Sequence, residues 1–233
     1  MIDKIYNADF LEFIKTIPDK YVDCVITDPP YKQEAHGRGM ARQKSHIYKK
    51  MSEWTDLSND WFRSEILDEY VRICKFPNIF LFCAKLDVVK ILDYAEANGL
   101  FYDILPLCKI SPVPFTNNTW LANEYAIHIR NSAIVYNTDY NLKIPYFLLP
   151  QIKTTDHPNE KNLDMVKRIV KNITREGDLI FDGFMGSGTT AVACKQLNRH
   201  YIGCELNKDI YESSLKRVEG QSLITSEDEP ELF

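Results

Sequence analysis

The sequence predicts an α/β fold in which helices cover both faces of a doubly wound, mostly parallel sheet. Apolar runs typical of strands alternate with segments of helical period, which is the pattern of strand-helix-strand units. A length of 233 residues with 45% hydrophobic residues is sufficient for one well-buried domain. We therefore expect a single domain over residues 1–233 that ends in an acidic tail at 226–233.

The first half of the chain begins with a short helix and a buried strand. Asp9 has the position of a helix N-cap, and Pro18 ends that helix. The apolar run from Val22 to Thr27 predicts a strand, and the prolines after it must turn the chain out of the sheet at the carboxyl end of the strand. Further on we expect a helix over 62–74 with a Ser58 or Asn59 cap, strand 78–83, helix 87–98 and strand 100–107.

The second half of the chain is irregular at its beginning and regular afterwards. Residues 124–130 and 133–136 predict a β-hairpin, whereas 139–160 is expected to be mostly irregular. The pattern then predicts helix 163–173, strand 179–181, a glycine loop, helix 189–198, strand 201–204 and helix 209–218.

Composition excludes several classes of protein. The apolar stretches are far shorter than the roughly 20 residues that cross a bilayer. The N-terminus lacks the apolar run of a secretory signal, so no membrane contact and a cytoplasmic location are expected. The six cysteines stand singly among apolar neighbours, with no C-x-x-C pair and no histidine at zinc-ligand spacing. We therefore expect buried free thiols and no metal site.

Basic residues are concentrated in one segment of an acidic chain. The net charge is −5, yet residues 32–50 carry six Lys or Arg and one Glu, a net of +5. The connection at about 32–57 has no hydrophobic period and is long for a structureless loop. We expect it to be mobile and to contact a polyanion through Arg38, Arg42 and Lys44. A merely solvated loop explains the charge alone equally well.

A glycine loop follows the strand at 179–181. Its Gly186 and Gly188 permit backbone conformations and a close ligand approach that a Cβ would forbid. Glu205, 17 residues after Gly188, has the spacing of an acid that accepts hydrogen bonds from two ribose hydroxyls. Asp182 is a candidate partner for the ammonium of an amino-acid moiety. No Gly-Lys-Ser/Thr follows, which argues against a P-loop, and a plain glycine turn with an incidental acid is the alternative.

The tetrapeptide Asp28-Pro29-Pro30-Tyr31 is the sharper signal. The exocyclic amine of a nucleobase is a poor nucleophile because its lone pair is delocalised into the ring. Asp28, with a backbone carbonyl oriented by the rigid prolines, can accept both amine hydrogens and favour a pyramidal nitrogen whose lone pair faces an electrophile. Tyr31 supplies a flat face on which an extruded base can stack. A proline turn capped by Asp28 is the purely structural alternative.

These two motifs resemble those of the S-adenosylmethionine-dependent amino DNA methyltransferases, and their order resembles the circularly permuted beta class. Three further segments resemble the N-terminal motif of the family, its His-Pro-x-x-Lys-Pro segment and its ribose-binding strand: Tyr6–Asp9, His157–Lys161 and Tyr201–Glu205. The resemblance covers most of residues 4–31 and 155–218. It implies a Rossmann-like methyltransferase sheet, with the acid of the N-terminal motif beside the cofactor adenine.

The resemblance also implies a set of site residues, with S-adenosylmethionine as the cofactor. The catalytic residues it implies are Asp28, Pro29, Pro30 and Tyr31. The cofactor-binding residues it implies are Ala8, Asp9, His157, Lys161, Asp182, Phe184, Gly186, Ser187, Gly188, Thr189, Glu205, Leu206 and Asn207. Two positions depart from the family, because Gly183 and Asn162 each replace a usual Pro. We expect Gly183 only to loosen the turn and Asn162 to cap the following helix.

The activity that the resemblance implies is methyl transfer to the N6 amine of a flipped adenine in double-stranded DNA. Asp at the first position of the tetrapeptide resembles the adenine-directed members, and cytosine N4 is the alternative within the family. An RNA or protein amide methyltransferase is less favoured, because such relatives usually carry Asn there and place the glycine loop first. A DNA-binding protein without activity is least favoured, because Asp28, Tyr31 and Gly186 are all intact.

Recognition of a DNA sequence is expected to involve residues at about 131–155. This segment is short for a separate target-recognition domain, so the basic loop or a second subunit of a homodimer would share the task. A cognate restriction endonuclease stays open as a further partner.

Overall fold

A computed structural model of the protein describes residues 1–30, 60–109, 124–132, 139–149 and 161–220. The strands are β1 Lys4–Asn7, β2 Cys24–Thr27, β3 Asn78–Cys83, β4 Phe101–Lys109, β5 Glu124–Arg130, β6 Phe147–Leu149, β7 Leu179–Asp182 and β8 His200–Glu205. The helices are α1 Phe10–Phe13, α2 Ser64–Ile73, α3 Val88–Ala97, α4 Leu163–Ile173, α5 Thr189–Gln196 and α6 Lys208–Glu219.

The described strands form one eight-stranded sheet in the order β1-β8-β7-β2-β3-β5-β4-β6. Pairing is parallel throughout except at β5, which is antiparallel to both of its neighbours, β3 and β4. The predicted mostly parallel sheet is therefore confirmed. Because β5 is reversed, its first residue, Glu124, lies at the same edge of the sheet as the carboxyl ends of β2 and β3.

Helices pack on both faces of this sheet, as expected. Neighbouring residues of β2 point to opposite sides: Val25 packs into the core under α1, α2 and α3, and Ile26 into the core under α4, α5 and α6. Both side chains are completely buried. Burial of one such aliphatic side chain contributes about 1.5 to 3 kcal/mol, so the two cores fix the position of every strand end in the centre of the sheet.

Two of the predicted helix caps are confirmed and one is wrong. Asp9 Oδ1 accepts hydrogen bonds from the backbone amides of Leu11 at 2.8 Å and Glu12 at 3.3 Å. Asn162 Oδ1 accepts one from the amide of Met165 at 2.9 Å and caps α4. The Ser58 or Asn59 cap is wrong, because α2 begins only at Ser64 with Arg63 at its N-cap position and no side-chain cap. Asp60 instead accepts from the amide of Phe62, which closes a turn ahead of the helix.

Both edge strands of the described sheet were missed by the sequence analysis. β1 pairs in parallel with β8, but only Ile5 among its four residues is buried, so it lacks an apolar run. β6 pairs with β4 inside the stretch 139–160, which was expected to be mostly irregular. Arg168 of α4 holds this stretch by donating to the carbonyl oxygens of Leu142, Ile144 and Tyr146. A long-range contact of this kind stabilises β6, and no local sequence pattern predicts the contact.

The hairpin predicted from residues 124–130 and 133–136 is not what the described residues show. They show a different pairing of the first strand. The strand expected at 124–130 is present as β5, but it lies between β3 and β4. The expected partner at 133–136 lies outside the described residues.

The cysteines and the helix lengths agree with the composition. All six cysteines are free, as predicted, and five of them are buried, whereas Cys108 is half-buried and departs from the expectation. None of the helices in the described part of the chain is long and apolar enough to span a bilayer.

Candidate active site

The predicted functional residues of three neighbouring strands meet at the carboxyl edge of the sheet. β7 pairs with β2 on one side and with β8 on the other. Asp28 follows β2, Asp182 ends β7 and Glu205 ends β8. Ligands of open α/β sheets bind outside the carboxyl ends of the strands, so this edge is the candidate site.

The glycine loop between β7 and α5 has the backbone that its sequence requires. Gly186 and Gly188 have φ angles of +52° and +81°, in the left-handed region that L side chains rarely adopt. The space that a Cβ of Gly186 would enter has the Phe184 carbonyl oxygen at 3.9 Å as its nearest neighbour. A ligand can therefore approach the backbone at Gly186, which fits the binding of a nucleotide-like cofactor.

Glu205 is held against this loop by backbone amides. Its Oε2 accepts a 2.9 Å hydrogen bond from the amide of Gly186, and its Oε1 accepts one of 2.9 Å from the amide of Asn207. Burial raises the pKa of the Glu205 carboxyl above its ordinary value, and the two amides oppose that rise. Each carboxylate oxygen has a second lone pair, so the group fits the predicted acceptor of ribose hydroxyls.

The residues around Glu205 fix its position on both sides. Asn207 caps α6 through a 3.0 Å hydrogen bond from the amide of Ile210, and Leu206 between them is exposed. From the neighbouring edge strand, Asn7 Nδ2 donates to the carbonyl oxygens of Glu205 at 2.9 Å and Leu206 at 3.0 Å. The amide of Ala8 also donates to the Glu205 carbonyl oxygen, so the N-terminal motif lies directly beside the predicted ribose acid.

Asp182 is buried and its carboxyl oxygens accept hydrogen bonds from the protein itself. Oδ1 accepts from Thr27 Oγ1 at 2.9 Å and from the amide of Phe184 at 3.0 Å, and Oδ2 accepts from Thr190 Oγ1 at 2.7 Å. Burial raises the pKa of Asp182 to about 6. These contacts tie the ends of β2 and β7 to the start of α5, and the expected role of Asp182 toward a cofactor ammonium stays a prediction.

Asp28 has one engaged and one unengaged carboxylate oxygen. Its Oδ2 is 3.1 Å from Lys161 Nζ, whereas Oδ1 is buried without a hydrogen-bond partner among the described residues. Burial raises the pKa of the Asp28 carboxyl, and the ammonium of Lys161 opposes that rise. Pro29 is buried and Pro30 half-buried beside it. An unpartnered buried acceptor is costly unless a ligand donor reaches it, which is what the predicted base amine would do.

The structure places Lys161 at Asp28 rather than at the glycine loop. Its Nζ lies 3.1 Å from Glu124 Oε2 as well, and 4.9 Å from the centre of the Phe82 ring. The expected contact of Lys161 with the cofactor stays a prediction. Glu124 was missed by the sequence analysis, because its position depends on the reversal of β5, and an acid in a strand that also contains His128 and Arg130 is no distinct local signal.

The departure at Gly183 has a packing reason that the sequence did not show. A Cβ at this position would lie 2.4 Å from Cδ2 of Phe10, far closer than atoms can approach. The Phe10 ring also stacks on the ring of Phe184, with centroids 4.8 Å apart, and Trp61 packs edge-on against Phe184 at 4.8 Å. The expectation that Gly183 only loosens the turn is wrong: its missing side chain makes room for an aromatic cluster that supports the loop.

Arg217 of α6 is a second residue that the sequence analysis missed. Its Nη1 donates to the carbonyl oxygen of Ser187 at 3.1 Å, to Ser187 Oγ at 2.9 Å and to Thr189 Oγ1 at 3.1 Å. Gly188 lies between them, and a Cβ there would be 3.2 Å from Cβ of Ser214 on the same helix. Helix α6 therefore packs against the glycine loop and stabilises it through Arg217 and Ser214.

Several predicted site residues lie outside the described residues. These are Tyr31, His157 and the three candidate DNA contacts Arg38, Arg42 and Lys44, together with the basic connection that carries them. The acidic tail is outside as well, and of the segment 131–155 only residues 131–132 and 139–149 are described.

The sheet and the site together define a Rossmann-like α/β domain built for a nucleotide-like cofactor. A glycine loop with two left-handed glycines leads from one strand into a helix, and an acid ends the next strand against it. The Asp-Pro-Pro turn after the adjacent strand adds, at the same edge, a buried carboxylate oxygen that has no hydrogen-bond partner among the described residues. This combination is what a methyltransferase acting on a nucleobase amine requires.

Comparison with known sequences identifies the family. A sequence profile of the family described as DNA methylase matches residues 113–216. The type II methyltransferase M2.DpnII of Streptococcus pneumoniae is 41% identical over 242 aligned residues, covering 94% of this chain and 90% of M2.DpnII. The type II methyltransferase M.HindIII of Haemophilus influenzae is 23% identical over 296 aligned residues, with coverages of 94% and 96%. The chain belongs to the S-adenosylmethionine-dependent amino DNA methyltransferases, in the group of type II enzymes.

Solved structures agree with the fold. The crystal structure of the M1.HpyAVI complex with S-adenosylmethionine matches with a TM-score of 0.69 at 28% identity, covering 92% of this chain and 98% of that chain. The PvuII DNA methyltransferase, described as cytosine-N4-specific, matches with a TM-score of 0.67 at 15% identity, with coverages of 92% and 85%. At that identity the likeness concerns the fold alone. The predicted Rossmann-like methyltransferase sheet is confirmed.

Proposed function

We propose that this protein transfers a methyl group from S-adenosylmethionine to the N6 amine of a flipped adenine in double-stranded DNA. The observation that carries the proposal is the buried Oδ1 of Asp28, which has no partner among the described residues. It lies at the end of β2, directly beside the strand that leads into the glycine loop. An acceptor for the amine and a loop for the methyl donor thus share one edge of the sheet.

The chemistry assigned to the protein is the orientation of the amine. Asp28, with a carbonyl oxygen of the Pro29-Pro30 turn, accepts the amine hydrogens and directs the nitrogen lone pair toward the donor methyl group. Bound S-adenosylmethionine supplies an electrophilic methyl group on sulfur. The new N–C bond forms in line as the S–C bond breaks, so no covalent intermediate with the enzyme is needed. Tyr31 is assigned to stacking on the flipped base.

The cofactor is assigned to the residues around the glycine loop. Glu205 accepts from the ribose hydroxyls, as its free lone pairs and fixed position support. Ala8 and Asp9 border the adenine, because the amide of Ala8 donates to the Glu205 carbonyl oxygen and Asp9 is the next residue of the chain. The remaining assignments, supported by the motifs alone, are Phe184, Gly186, Ser187, Gly188, Thr189, Leu206, Asn207, His157 and, at the cofactor ammonium, Asp182.

The choice of adenine over cytosine rests on Asp28 itself. Asp at this position resembles the adenine-directed members of the family. The cytosine-directed members more often carry Ser there. Methylation of cytosine N4 is the second candidate. Asp28 lies near the start of the sequence, and Gly186 lies in its second half. This order of the two motifs favours the circularly permuted beta class.

The DNA-binding surface is assigned to the basic connection at 32–57 and to residues at about 131–155. The charge of +5 over residues 32–50 supports a contact with phosphates, through Arg38, Arg42 and Lys44. The short recognition segment favours a homodimer in which two subunits share the reading of bases. A cognate restriction endonuclease fits the type II relatives, and a cytoplasmic enzyme would have access to chromosomal DNA.

One experiment tests the base and the atom together. Purified protein is incubated with isotope-labelled S-adenosylmethionine and duplex DNA of mixed sequence, and the DNA is digested to nucleosides for mass spectrometry. We expect labelled N6-methyldeoxyadenosine. Labelled N4-methyldeoxycytidine would replace the proposal by its alternative, and a digest in which no deoxynucleoside carries the label would refute both.

Two variants make that experiment specific to the proposed site. Asp28→Ala should abolish methyl transfer while leaving the affinity for S-adenosylmethionine nearly unchanged, because Asp28 is assigned to the target amine. Asp103→Asn removes a carboxylate from the half-exposed surface of β4 and should leave the rate unchanged. A wild-type rate in Asp28→Ala would contradict the assignment.

A further inference from the structure

A lysine lies between two carboxylates at the carboxyl edge of the sheet. Lys161 Nζ is 3.1 Å from Asp28 Oδ2 and 3.1 Å from Glu124 Oε2. The side chains are only 15% exposed for Lys161, 26% for Asp28 and 23% for Glu124. They come from the end of β2, the start of β5 and the residue before the cap of α4, so the fold assembles them from distant parts of the chain.

The arrangement leaves the two oxygens of Asp28 in different surroundings. Oδ2 faces the ammonium of Lys161, and Oδ1 is the buried oxygen without a described partner. Lys161 is itself fixed on two further sides, by Glu124 and by the face of the Phe82 ring at 4.9 Å. A carboxylate anchored through one oxygen cannot rotate freely, so the direction in which Oδ1 points is set by Lys161.

We propose that Lys161 and Glu124 are positioning residues for Asp28: Glu124 holds the ammonium, and the ammonium orients Asp28 so that Oδ1 receives the hydrogens of the target amine. This inference rests on the proposed function and adds two residues to it. It places Lys161 on the side of the target base and gives a role to Glu124, which no motif had singled out.

Lys161 and Glu124 also influence the ionisation of Asp28 through their charges. The charged and titratable groups that face Asp28 among the described residues are Lys161, Glu124, Asp182 and the thiol of Cys83. Lys161 favours the ionised form of Asp28, and Glu124 disfavours it. Only the ionised form of Asp28 can accept hydrogen bonds at both oxygens, from Lys161 at Oδ2 and from the target amine at Oδ1. As the N–C bond forms and the S–C electrons pass to sulfur, the amine nitrogen loses a proton, which the ionised Asp28 carboxylate accepts.

Variants of the two residues should therefore shift the pH dependence of methyl transfer in opposite directions. Lys161→Met removes the positive charge, and the acidic limb of the single-turnover rate should move to higher pH by about one unit or more. Glu124→Gln removes a negative charge, and the limb should move to lower pH. Lys161→Arg keeps the charge and should restore the limb toward its wild-type position, although the geometry differs.

A matched control separates this effect from the loss of any ion pair. Lys75→Met breaks the 2.7 Å pair between Lys75 and Asp23, which lies at the opposite end of β2. The acidic limb should stay where it is in wild type. Calorimetric titration of S-adenosylmethionine should give unchanged affinities for Lys161→Met and Glu124→Gln. A loss of more than tenfold in cofactor affinity without movement of the limb would overturn the proposal, since Lys161 would then serve the cofactor.

A readout without catalysis distinguishes failure of this inference from failure of the proposed function. The protein is labelled with 13C at the aspartate side-chain carboxyls, and Asp28→Asn identifies the Asp28 resonance by its disappearance. The titration of that resonance should move up in pH in Lys161→Met and down in Glu124→Gln. If wild type methylates no adenine, the proposed function fails while this titration still decides the inference. A titration that moves in neither variant overturns it, whatever the activity.

Discussion

The backbone amide of Gly186 donates a 2.9 Å hydrogen bond to Oε2 of Glu205, which ties the loop after β7 to the end of β8. The bond joins a glycine in the left-handed conformation to the predicted ribose acid. A second amide, from Asn207, engages Oε1. Both oxygens are therefore oriented before a cofactor arrives, which reduces the entropy lost on binding.

Replacement of this acid should weaken binding of S-adenosylmethionine without unfolding the protein. Glu205→Gln keeps the shape but exchanges one charged acceptor for a donor, which costs about 1 to 3 kcal/mol or roughly five- to 150-fold in Kd. Isothermal titration calorimetry measures this change directly. Glu219→Gln, at the exposed end of α6, is the matched control and should bind like wild type. An unchanged Kd in Glu205→Gln would mean that the ribose binds elsewhere.

A side chain at position 183 should destabilise the fold. Gly183→Ala would place a Cβ 2.4 Å from the Phe10 ring, and relief of such overlap in a packed core typically costs about 1 to 3 kcal/mol. Chemical denaturation measures the loss in the free energy of unfolding. Gly220→Ala, where the nearest atom would be 3.5 Å away, should change stability little. Phe10→Leu in the Gly183→Ala background should recover part of the loss, and equal instability of both alanine variants would refute the packing argument.

Stability should depend on the ionisation of Asp182. Burial raises its pKa from 3.8 to about 6, so the folded state holds the proton more tightly than the unfolded state. The resulting stabilisation is complete below pH 3.8 and is lost as the pH rises through about 6. Measured against Asp182→Asn, which does not titrate, wild type should lose about 3 kcal/mol of relative stability over this range. A constant difference between the two proteins from pH 3.5 to 7 would contradict the raised pKa.

Neutralisation of the basic connection should weaken DNA binding and its dependence on salt. Replacing Arg38, Arg42 and Lys44 by Gln should reduce the slope of log affinity against log salt by about 0.9 for each lost phosphate contact. Fluorescence anisotropy with labelled duplex at several salt concentrations measures the slope. Lys15→Gln with Lys20→Gln, in the connection that leads into β2, is the control. A slope equal to wild type in the triple variant would assign the DNA-binding surface to Trp120 and residues 133–146 instead.

The parts of the site that the sequence predicted are those whose chemistry is local. Gly186 and Gly188 must be glycines for reasons of backbone conformation, and Asp28 is followed at once by the prolines that turn it out of the sheet. Glu205 follows from its spacing after the loop. Each of these signals lies within one short segment of the chain, of which the longest is the 17 residues from Gly188 to Glu205, so one sequence is sufficient to recognise it.

What the sequence did not predict depends on contacts between distant segments. Glu124 reaches Lys161 only because β5 is reversed, and Gly183 is required only because Phe10 packs on it. Strands β1 and β6 lie at the edges of the described sheet, where few residues are buried and no alternation of apolar residues is needed. Local propensity carries little information about such elements, since pairing with a neighbour stabilises them.

The reversal of β5 also affects how the chain can vary in length. β4 ends and β5 begins at the same edge of the sheet, which is also the edge where Asp28 follows β2, so the connection between them leaves and re-enters the sheet at that edge. An insertion there would need no return path across the sheet, unlike one between β2 and β3, which run in parallel. Each doubling of loop length costs only about 0.6 kcal/mol in closure entropy. The length of this connection can therefore change while the two strands that it joins keep their pairing.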